Sequence, residues 1–193
     1  MELIFASHNH YKFNEIKNLF PVGFSMKCLS DISFLEEIPE TSLTIEGNAI
    51  QKVEYLFNKT GLNCFSDDTG LIVNALNGEP GVYSARYAGP QKNDSDNIEL
   101  LLKNLEGMND RTAYFKTVIA LNISGESFIF EGAIHGQIAR EKLGNNGFGY
   151  DPIFIPNHSN KSFAQMKIEE KKSLSHRSIA LQKLISFLQE SKF

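Results

Sequence analysis

Residues 112–138 constrain the fold more than any other part of this chain of 193 residues. They are rich in β-branched and aromatic side chains, and Ser124-Gly125-Glu126 separates the apolar residues 118–121 from residues 128–130. A short glycine-containing break between two such runs is typical of a β-hairpin. We therefore predict two antiparallel strands in this half of the chain.

The rest of the chain alternates between short apolar strands and amphipathic helices. Residues 3–6, 24–29 and 64–66 have the character of strands, and residues 153–155 follow a glycine-rich loop as another. Apolar residues at helical spacing mark four helices, which contain Phe13, Ile16 and Leu19; Ile45, Ala49, Val53, Leu56 and Phe57, closed by Gly61; Ile98, Leu101, Leu102 and Leu105; and Leu181, Leu184, Ile185 and Leu188.

Strands that alternate with helices and then give way to a hairpin predict an α/β fold with a mixed sheet. The sequence contains no internal repeat, low-complexity tract or flexible linker. Its hydrophobic fraction of 41% is sufficient for one sizeable core. We expect a single domain over residues 1–193.

Composition excludes several classes of partner. The net charge is −4 and the sequence pI is about 5.7, so the chain lacks the basic field that draws proteins to nucleic acid or anionic membranes. Its two cysteines, Cys28 and Cys64, lie in apolar or strand-like stretches, which favours a reducing compartment. No basic leader or membrane-length apolar run is present. We expect a cytoplasmic protein that binds neither nucleic acid nor membrane.

Asp67-Asp68 is the most informative local pattern, because it ends an apolar strand just before Thr69-Gly70. Adjacent carboxylates repel each other where water is partly excluded, and a cation would relieve that cost. Mg²⁺ is usually held by one or two carboxylates, and Asp68 with Glu40 could supply them. The alternative is a simple acidic turn before a glycine.

The glycine-rich segment Gly144-Asn145-Asn146-Gly147-Phe148-Gly149 matches neither the phosphate-loop nor the dinucleotide pattern, since Pro152 and a strand follow it. Phe148 and Tyr150 nevertheless offer aromatic faces, with Asp151 as a nearby acceptor. Such a set suits a nucleobase, because stacking is worth roughly 1–3 kcal/mol per base. A turn whose aromatic residues fold into the core is the alternative.

Several cations complete the candidate site. Lys171, His176 and Arg177 cluster where the last helix begins, and the unpaired N–H groups of a helix start favour an electron-rich oxygen there. A solvated charged face is the alternative for this cluster, and Lys12 and Lys52 have the character of helix-surface residues. His8 and His10 are interpreted as loop residues and not as ligands of a transition metal, since the sequence offers no third nitrogen or sulfur ligand beside them.

Five blocks, taken together and in order, resemble the inosine/xanthosine triphosphate pyrophosphatase family. The likeness covers nearly the whole chain, and one block is a run of twelve residues. Five ordered blocks are far more specific than any one motif. The blocks are Ala6-Ser7-His8-Asn9 with Lys12 and Glu15, Ser66-Asp67-Asp68-Thr69-Gly70-Leu71, residues 78–89, Gly147-Phe148-Gly149-Tyr150-Asp151-Pro152, and Ser175-His176-Arg177.

The resemblance implies an α/β fold in which a long mixed β-sheet with flanking helices forms two lobes around a central cleft. It also implies a homodimer and a Mg²⁺-dependent activity that cuts ITP, XTP and dITP into the monophosphate and pyrophosphate, which would clear non-standard purine nucleotides from the precursor pool. Carried over by position, the resemblance places Ser7, His8, Asn9, His10, Tyr11 and Lys12 at the triphosphate, Glu40 and Asp68 at Mg²⁺ with Asp68 as the base, Thr69 at the substrate, and Phe148, Gly149, Tyr150, Asp151, Lys171, His176 and Arg177 at the purine. In addition, we expect Lys12 and Lys52 to act as catalytic cations that neutralise charge on the phosphates.

The sequence departs from the family at two of these positions. His8 stands where a small residue is common, which affects how closely the backbone approaches phosphate, and Thr69 replaces a serine and keeps the hydroxyl. Two other functions stay open: a pyrophosphatase for modified pyrimidine triphosphates, and a sensor that binds nucleotides without hydrolysis. A nucleic-acid-binding domain is disfavoured by the acidic charge balance.

Overall fold

The computed structural model describes residues 1–17 and 19–191, with the backbone alone given for Ile168, Lys172 and Ser173. Twelve α-helices and β-strands are assigned within this part of the chain, beside short 3₁₀ turns. They are β1 (Glu2–Phe5), α1 (His10–Ile16), β2 (Ser25–Cys28), α2 (Ile45–Thr60), β3 (Cys64–Val73), β4 (Pro80–Gly81), α3 (Asp94–Asn104), β5 (Thr112–Ile123), β6 (Glu126–Ile138), β7 (Phe154–Pro156), α4 (Ile168–Leu174) and α5 (His176–Glu190).

The predicted α/β class and mixed sheet are confirmed. Strand β1 pairs in parallel with both β2 and β3, whereas β3 pairs with β4, and β6 with β7, in antiparallel fashion. The hydrogen-bonded order of the strands is β2-β1-β3-β5-β6-β7, and β4 pairs with β3 outside that path. A mixed sheet that contains the β5–β6 hairpin is what the sequence predicted, whereas the order of the strands was not predicted.

The chain divides into two compact units, of which the first comprises residues 1–68 and 117–132 and the chain from Arg177 onward. Its core combines the aromatic residues of β1 and β3 with the apolar side of α5. Phe5 and Phe65 are fully buried, with ring centroids 5.1 Å apart. The same hydrophobic cluster also contains Leu3, Ile16, Ile119, Leu121, Ile123, Ala180, Leu181, Leu184 and Leu188.

The second unit comprises residues 69–116 and 133–176. Its core packs α3 against the remaining parts of β3, β5 and β6. The rings of Phe115 and Phe154 meet edge to face, with centroids 4.7 Å apart, and Phe163 adjoins both. The same hydrophobic cluster also contains Leu71, Val73, Ile98, Leu101, Leu105, Ala113, Ile138, Tyr150, Ile153 and Met166.

Local rules explain the predicted helix and hairpin ends. Thr44 caps α2 by accepting the N–H of Gly47, and Gly61 ends the helix in the left-handed region at φ 69°. The β5–β6 hairpin turns through Ser124 and Gly125, both with positive φ. Two positive φ angles suit the twist of a two-residue hairpin turn, and Glu126 already belongs to β6.

Strand β3 corrects the prediction that Asp67-Asp68 ends a strand or makes a turn. The strand continues without interruption through both aspartates and Thr69-Gly70 to Val73. Side chains alternate across a strand, so the two carboxylates point to opposite faces. Their mutual repulsion is therefore weaker than adjacency in sequence suggested.

Two further predictions about helices are wrong. Helix α1 ends at Ile16, so Leu19 lies beyond it and is 38% exposed. Lys171 does not lie at the start of the last helix, because residues 168–174 form the separate helix α4. That helix has no apolar stripe in its sequence, which explains why periodicity missed it. None of the described helices has the length and hydropathy that a bilayer crossing requires.

Replacing Gly61 with alanine should lower the free energy of unfolding by about 1 kcal/mol, because a Cβ is unfavourable in the left-handed region. No atom lies within 4 Å of the position that this Cβ would take, so the effect should be conformational. Gly61→Asn should cost about half as much, since asparagine tolerates this region. Urea unfolding measures both, and an alanine variant as stable as the wild type contradicts the assignment of the cap.

Candidate functional site

Lys12 is placed by the cap of helix α1. The side-chain oxygen of Asn9 accepts the N–H groups of Tyr11 and Lys12 at 3.0 and 3.2 Å. This capping fixes the first turn, because it satisfies donors that a helix start leaves unpaired. The Lys12 side chain is only 14% exposed, and its ammonium lies 3.1 Å from Asp67 Oδ1. Lys12 is therefore not the helix-surface residue that its spacing suggested.

Asp67 lies between two cations in the first unit. Its Oδ2 accepts the Nε–H of Arg177 at 2.9 Å, while Oδ1 faces Lys12. Arg177 is 3% exposed and also contacts Glu15 through Nη1. Charge-assisted bonds of this kind are about twice as strong as neutral ones. Asp67 thereby ties strand β3 to helices α1 and α5.

Lys52 is the centre of a second set of contacts in the same unit. Its ammonium donates to Glu40 Oε1 at 2.7 Å, to the backbone oxygen of Asp67 at 2.7 Å and to Asp68 Oδ1 at 3.3 Å. Three acceptors match the three N–H groups of an ammonium. Lys52 is 4% exposed, so it is a buried cation among carboxylates and not an ordinary helix-surface residue.

Helix α2 positions this second set through one face. Asn48 precedes Lys52 by one helical turn, is 2% exposed, and directs its amide toward Asp68 Oδ2 at 3.5 Å. The amide oxygen of Asn48 accepts the N–H of Ser42, which holds the segment after Glu40 against the helix. The positions of Glu40, Lys52 and Asp68 thus all depend on α2.

Burial and charge act in opposite directions on the pKa values of this cluster. Burial lowers the pKa of Lys12, and the charge of Asp67 only partly offsets it. Burial would lower the pKa of Lys52 as well, but the charges of Asp68 and Glu40 outweigh it and raise that pKa. Burial raises the pKa of Asp68. Burial also acts to raise the pKa of Asp67, yet the charges of Lys12 and Arg177 hold it well below its ordinary value.

Carboxylates and cations alternate in this cluster. Among the described contacts, Asp67 and Glu15 meet Arg177, Asp67 meets Lys12, and Glu40 and Asp68 both meet the Lys52 ammonium. Glu40 and Asp68 are hard oxygen donors of the kind that Mg²⁺ prefers, and one or two carboxylates usually hold that ion. These two residues therefore fit a cation held by two carboxylates. Within residues 1–17 and 19–191, no three His, Cys, Asp or Glu side chains form a metal-binding group.

The second unit contains the predicted aromatic loop. Asp151 Oδ2 accepts the ammonium of Lys171 at 2.6 Å and the N–H of Phe148 at 2.9 Å. The Lys171 nitrogen also lies 4.8 Å from the centroid of the half-buried Phe148 ring, within range of a cation–π contact. Lys171, Asp151 and Phe148 therefore form one compact group that offers an aromatic face, a donor and an acceptor.

Backbone conformation explains the glycines of this loop. A Cβ on Gly147 would lie 2.0 Å from Asp151 Oδ2, and Gly147 has a φ of 81°. Gly149, at φ 58°, donates its N–H to Asp94 Oδ2 at 2.7 Å. Tyr150 is 4% exposed and donates its hydroxyl to the backbone oxygen of Ser84 at 2.9 Å. Tyr150 is therefore a core residue, as the alternative interpretation held, whereas Phe148 is not.

The other predicted site residues have varied surroundings. His8 Nε2 contacts the backbone oxygen of Glu36 at 3.0 Å, and His10 and Tyr11 are exposed at the start of α1. Ser7 is half-buried and accepts the N–H of Asn9. Thr69 is half-buried in β3, and His176 is 5% exposed and stacks on Phe115 with ring centroids 4.8 Å apart.

Sequence reasoning gave no role to Asn48, Glu15 or Asp94. The sequence spacing of two of them, Asn48 and Glu15, could have indicated a role. Asn48 lies four residues before Lys52 and Glu15 three residues after Lys12, spacings that place side chains on one helical face. The contact between Asp94 and Gly149 joins residues 55 positions apart and has no local signature.

The fold defines an α/β protein with close counterparts among solved structures. The Ham1 protein of Staphylococcus aureus matches with a TM-score of 0.90 and 43% identity over 98% of both chains. A HAM1 protein from Coxiella burnetii matches with a TM-score of 0.91 and 39% identity, over 99% of this chain and 100% of the other.

The chain belongs to the Ham1 family, whose model matches residues 3–187. Among its relatives, a protein of Flavobacterium johnsoniae named dITP/XTP pyrophosphatase is 53% identical over 100% of both chains. A protein of Bacillus subtilis with the same name is 45% identical over 97% of both. The family that the sequence blocks suggested is thereby confirmed.

Replacing Asp67 with asparagine should make the free energy of unfolding depend less on pH under acidic conditions. The surrounding cations hold the pKa of Asp67 below its ordinary value of 3.8, so the unfolded chain takes up this proton first as the pH falls. The stabilisation is present above about pH 4 and is lost as the pH falls further. Urea unfolding between roughly pH 5 and pH 3 should therefore show a steeper loss for the wild type.

Asp96→Asn provides the control, because Asp96 is exposed in the first turn of α3. That variant removes an equal charge from an exposed site, so the slope of its unfolding free energy against pH is the comparison for Asp67→Asn. Equal slopes for the wild type and Asp67→Asn would mean that the buried ion pairs do not set the acid stability.

Proposed function

We propose that this chain is a nucleoside triphosphate pyrophosphatase that hydrolyses dITP, XTP and ITP to the monophosphate and pyrophosphate. The observation that carries the proposal is the Glu40–Lys52–Asp68 cluster, in a chain that aligns end to end with relatives named dITP/XTP pyrophosphatase. Water adds to the α-phosphorus, the bond from that phosphorus to its bridging oxygen breaks, and pyrophosphate leaves.

The residues of the first unit are suited to bind a metal ion, to accept a proton and to stabilise negative charge during this reaction. Glu40 and Asp68 would hold Mg²⁺, which when bound withdraws charge from phosphate oxygens. Asp68, whose pKa burial raises, is the proposed base that takes the proton of the attacking water. Lys12 and Lys52 keep their ammonium groups in place through Asp67 and Glu40, and they stabilise negative charge that builds up on the phosphates.

The residues of the second unit suit recognition of a 6-oxopurine. Such a base presents an acceptor at O6 and a donor at N1, and adenine reverses both. Lys171 supplies N–H groups, Asp151 supplies carboxylate oxygens, and Phe148 supplies a face for stacking. A polar site left unpaired by the wrong base can reject it by a factor on the order of 10⁴, so ATP should be a poor substrate.

The proposal includes the homodimer and the cytoplasmic location that the family resemblance implied. A homodimer would give a mass of twice 21.7 kDa by light scattering after gel filtration. A mass of one chain at micromolar concentration would count against this part of the proposal and leave the proposed chemistry unaffected.

A substrate panel tests the function directly. Pyrophosphate release from ITP, XTP, dITP, GTP, ATP and UTP should be measured side by side, with and without Mg²⁺. We expect fast release from the first three, a strong preference over ATP and UTP, and loss of activity without the metal. Tight binding without release would instead identify a sensor, and a preference for UTP would identify a pyrimidine enzyme.

Asp68→Asn should lower kcat for ITP on the order of 10²-fold or more, since the change keeps the shape and removes the charge and the base. Asp96→Asn is the control, because it removes an equal charge from an exposed site in the second unit. An Asp68→Asn enzyme with wild-type turnover in Mg²⁺ would show that Asp68 is neither base nor ligand.

A further inference from the structure

Two consecutive backbone N–H groups of the aromatic loop are held by carboxylates. The N–H of Phe148 donates to Asp151 Oδ2 at 2.9 Å, and the N–H of Gly149 donates to Asp94 Oδ2 at 2.7 Å. Asp151 is three residues from Phe148, so its bond belongs to the loop itself. Asp94 reaches the loop from the first turn of α3.

Helix capping does not account for this contact of Asp94. The N-cap of α3 is Asn93, whose side-chain oxygen accepts the N–H of Asp96 at 3.1 Å. The Asp94 carboxylate instead reaches a residue 55 positions away, with the short length that is usual for a bond to a charged acceptor. Its partner Gly149 has a φ of 58°, a conformation that glycine adopts freely and that a fixed N–H helps to select.

The contact holds the N–H of the peptide that joins Phe148 to Gly149. The Phe148 side chain branches from the residue just before that peptide, and its ring centroid lies 4.8 Å from the Lys171 ammonium. We propose that Asp94 is a positioning residue for purine binding, acting through the Gly149 N–H on the orientation of Phe148. This inference rests on the proposed function, because it assigns Phe148 to the base of the nucleotide.

The sign of the effect separates positioning from simple charge. Asp94 and Asp96 lie in the same helical turn, and both are exposed. By electrostatics alone, removing either negative charge should slightly strengthen the binding of an anionic nucleotide. Loss of positioning acts in the opposite direction and weakens binding in the Asp94 variant only.

The experiment compares Asp94→Ala, Asp94→Asn and the control Asp96→Ala in the full-length protein. Hydrogen exchange at the Gly149 amide reports the contact itself, the Kd of inosine monophosphate reports binding, and KM and kcat for ITP report turnover. In Asp94→Ala we expect faster exchange of the Gly149 amide than in the wild type. The Kd of inosine monophosphate and the KM for ITP should rise about 5-fold, and kcat should stay within about twofold of the wild-type value. Asp94→Asn should recover most of the affinity, because its amide oxygen can accept the same bond.

The outcomes distinguish this inference from the proposed function. Positioning by Asp94 is wrong, while the proposed function stands, if Asp94→Ala has the same Kd for inosine monophosphate and the same KM and kcat for ITP as Asp96→Ala. The same holds if the exchange rate of the Gly149 amide is unchanged in Asp94→Ala. A change confined to kcat would also overturn it. If the wild type releases no pyrophosphate from any purine triphosphate, the proposed function fails and the role of Asp94 fails with it.

Discussion

The buried carboxylate of Asp67 is the constraint around which the first unit is arranged. It is 1% exposed and bonds to Lys12 and Arg177, which belong to helices at opposite ends of the sequence. A charge in this position is costly unless it is paired and hydrogen-bonded. Losing either cation would leave Asp67 poorly compensated, so this one strand residue ties the placement of α1 to that of α5.

Strand geometry then explains how two adjacent acids can serve different purposes. Asp67 and Asp68 face opposite sides of β3, so each meets its own lysine side chain, while Lys52 also bonds to the backbone oxygen of Asp67. Asp67 pairs with Lys12 and with Arg177, which also contacts Glu15, and has a structural role. Asp68 and Glu40 both contact Lys52, and their carboxylate oxygens suit a cation such as Mg²⁺. Two aspartates in a turn would not be divided in this way.

The sequence allowed good prediction of local features and poor prediction of burial. The cap at Gly61 and the hairpin at Ser124-Gly125 follow from backbone preferences of neighbouring residues, and both were found. Lys52 was assigned to a surface because helical periodicity treats a lysine as solvated, whereas its burial depends on acids 12 and 16 residues away. The bond of Arg177 to Asp67 spans 110 residues and lies beyond any local pattern.

The hydrogen bonds of Arg177 bear on its predicted contact with a purine. Both Nε and Nη1 of Arg177 are committed to the carboxylates of Asp67 and Glu15, so using these two atoms for a ligand would break charge-assisted bonds in a buried place. A guanidinium has five N–H groups in a fixed plane, whereas a lysine ammonium has three on a flexible stem. A contact between Arg177 and the purine would therefore have to leave the bonds to Asp67 and Glu15 in place, because the guanidinium also holds Asp67. The contacts of Arg177 and Lys171 with the purine both stay predictions.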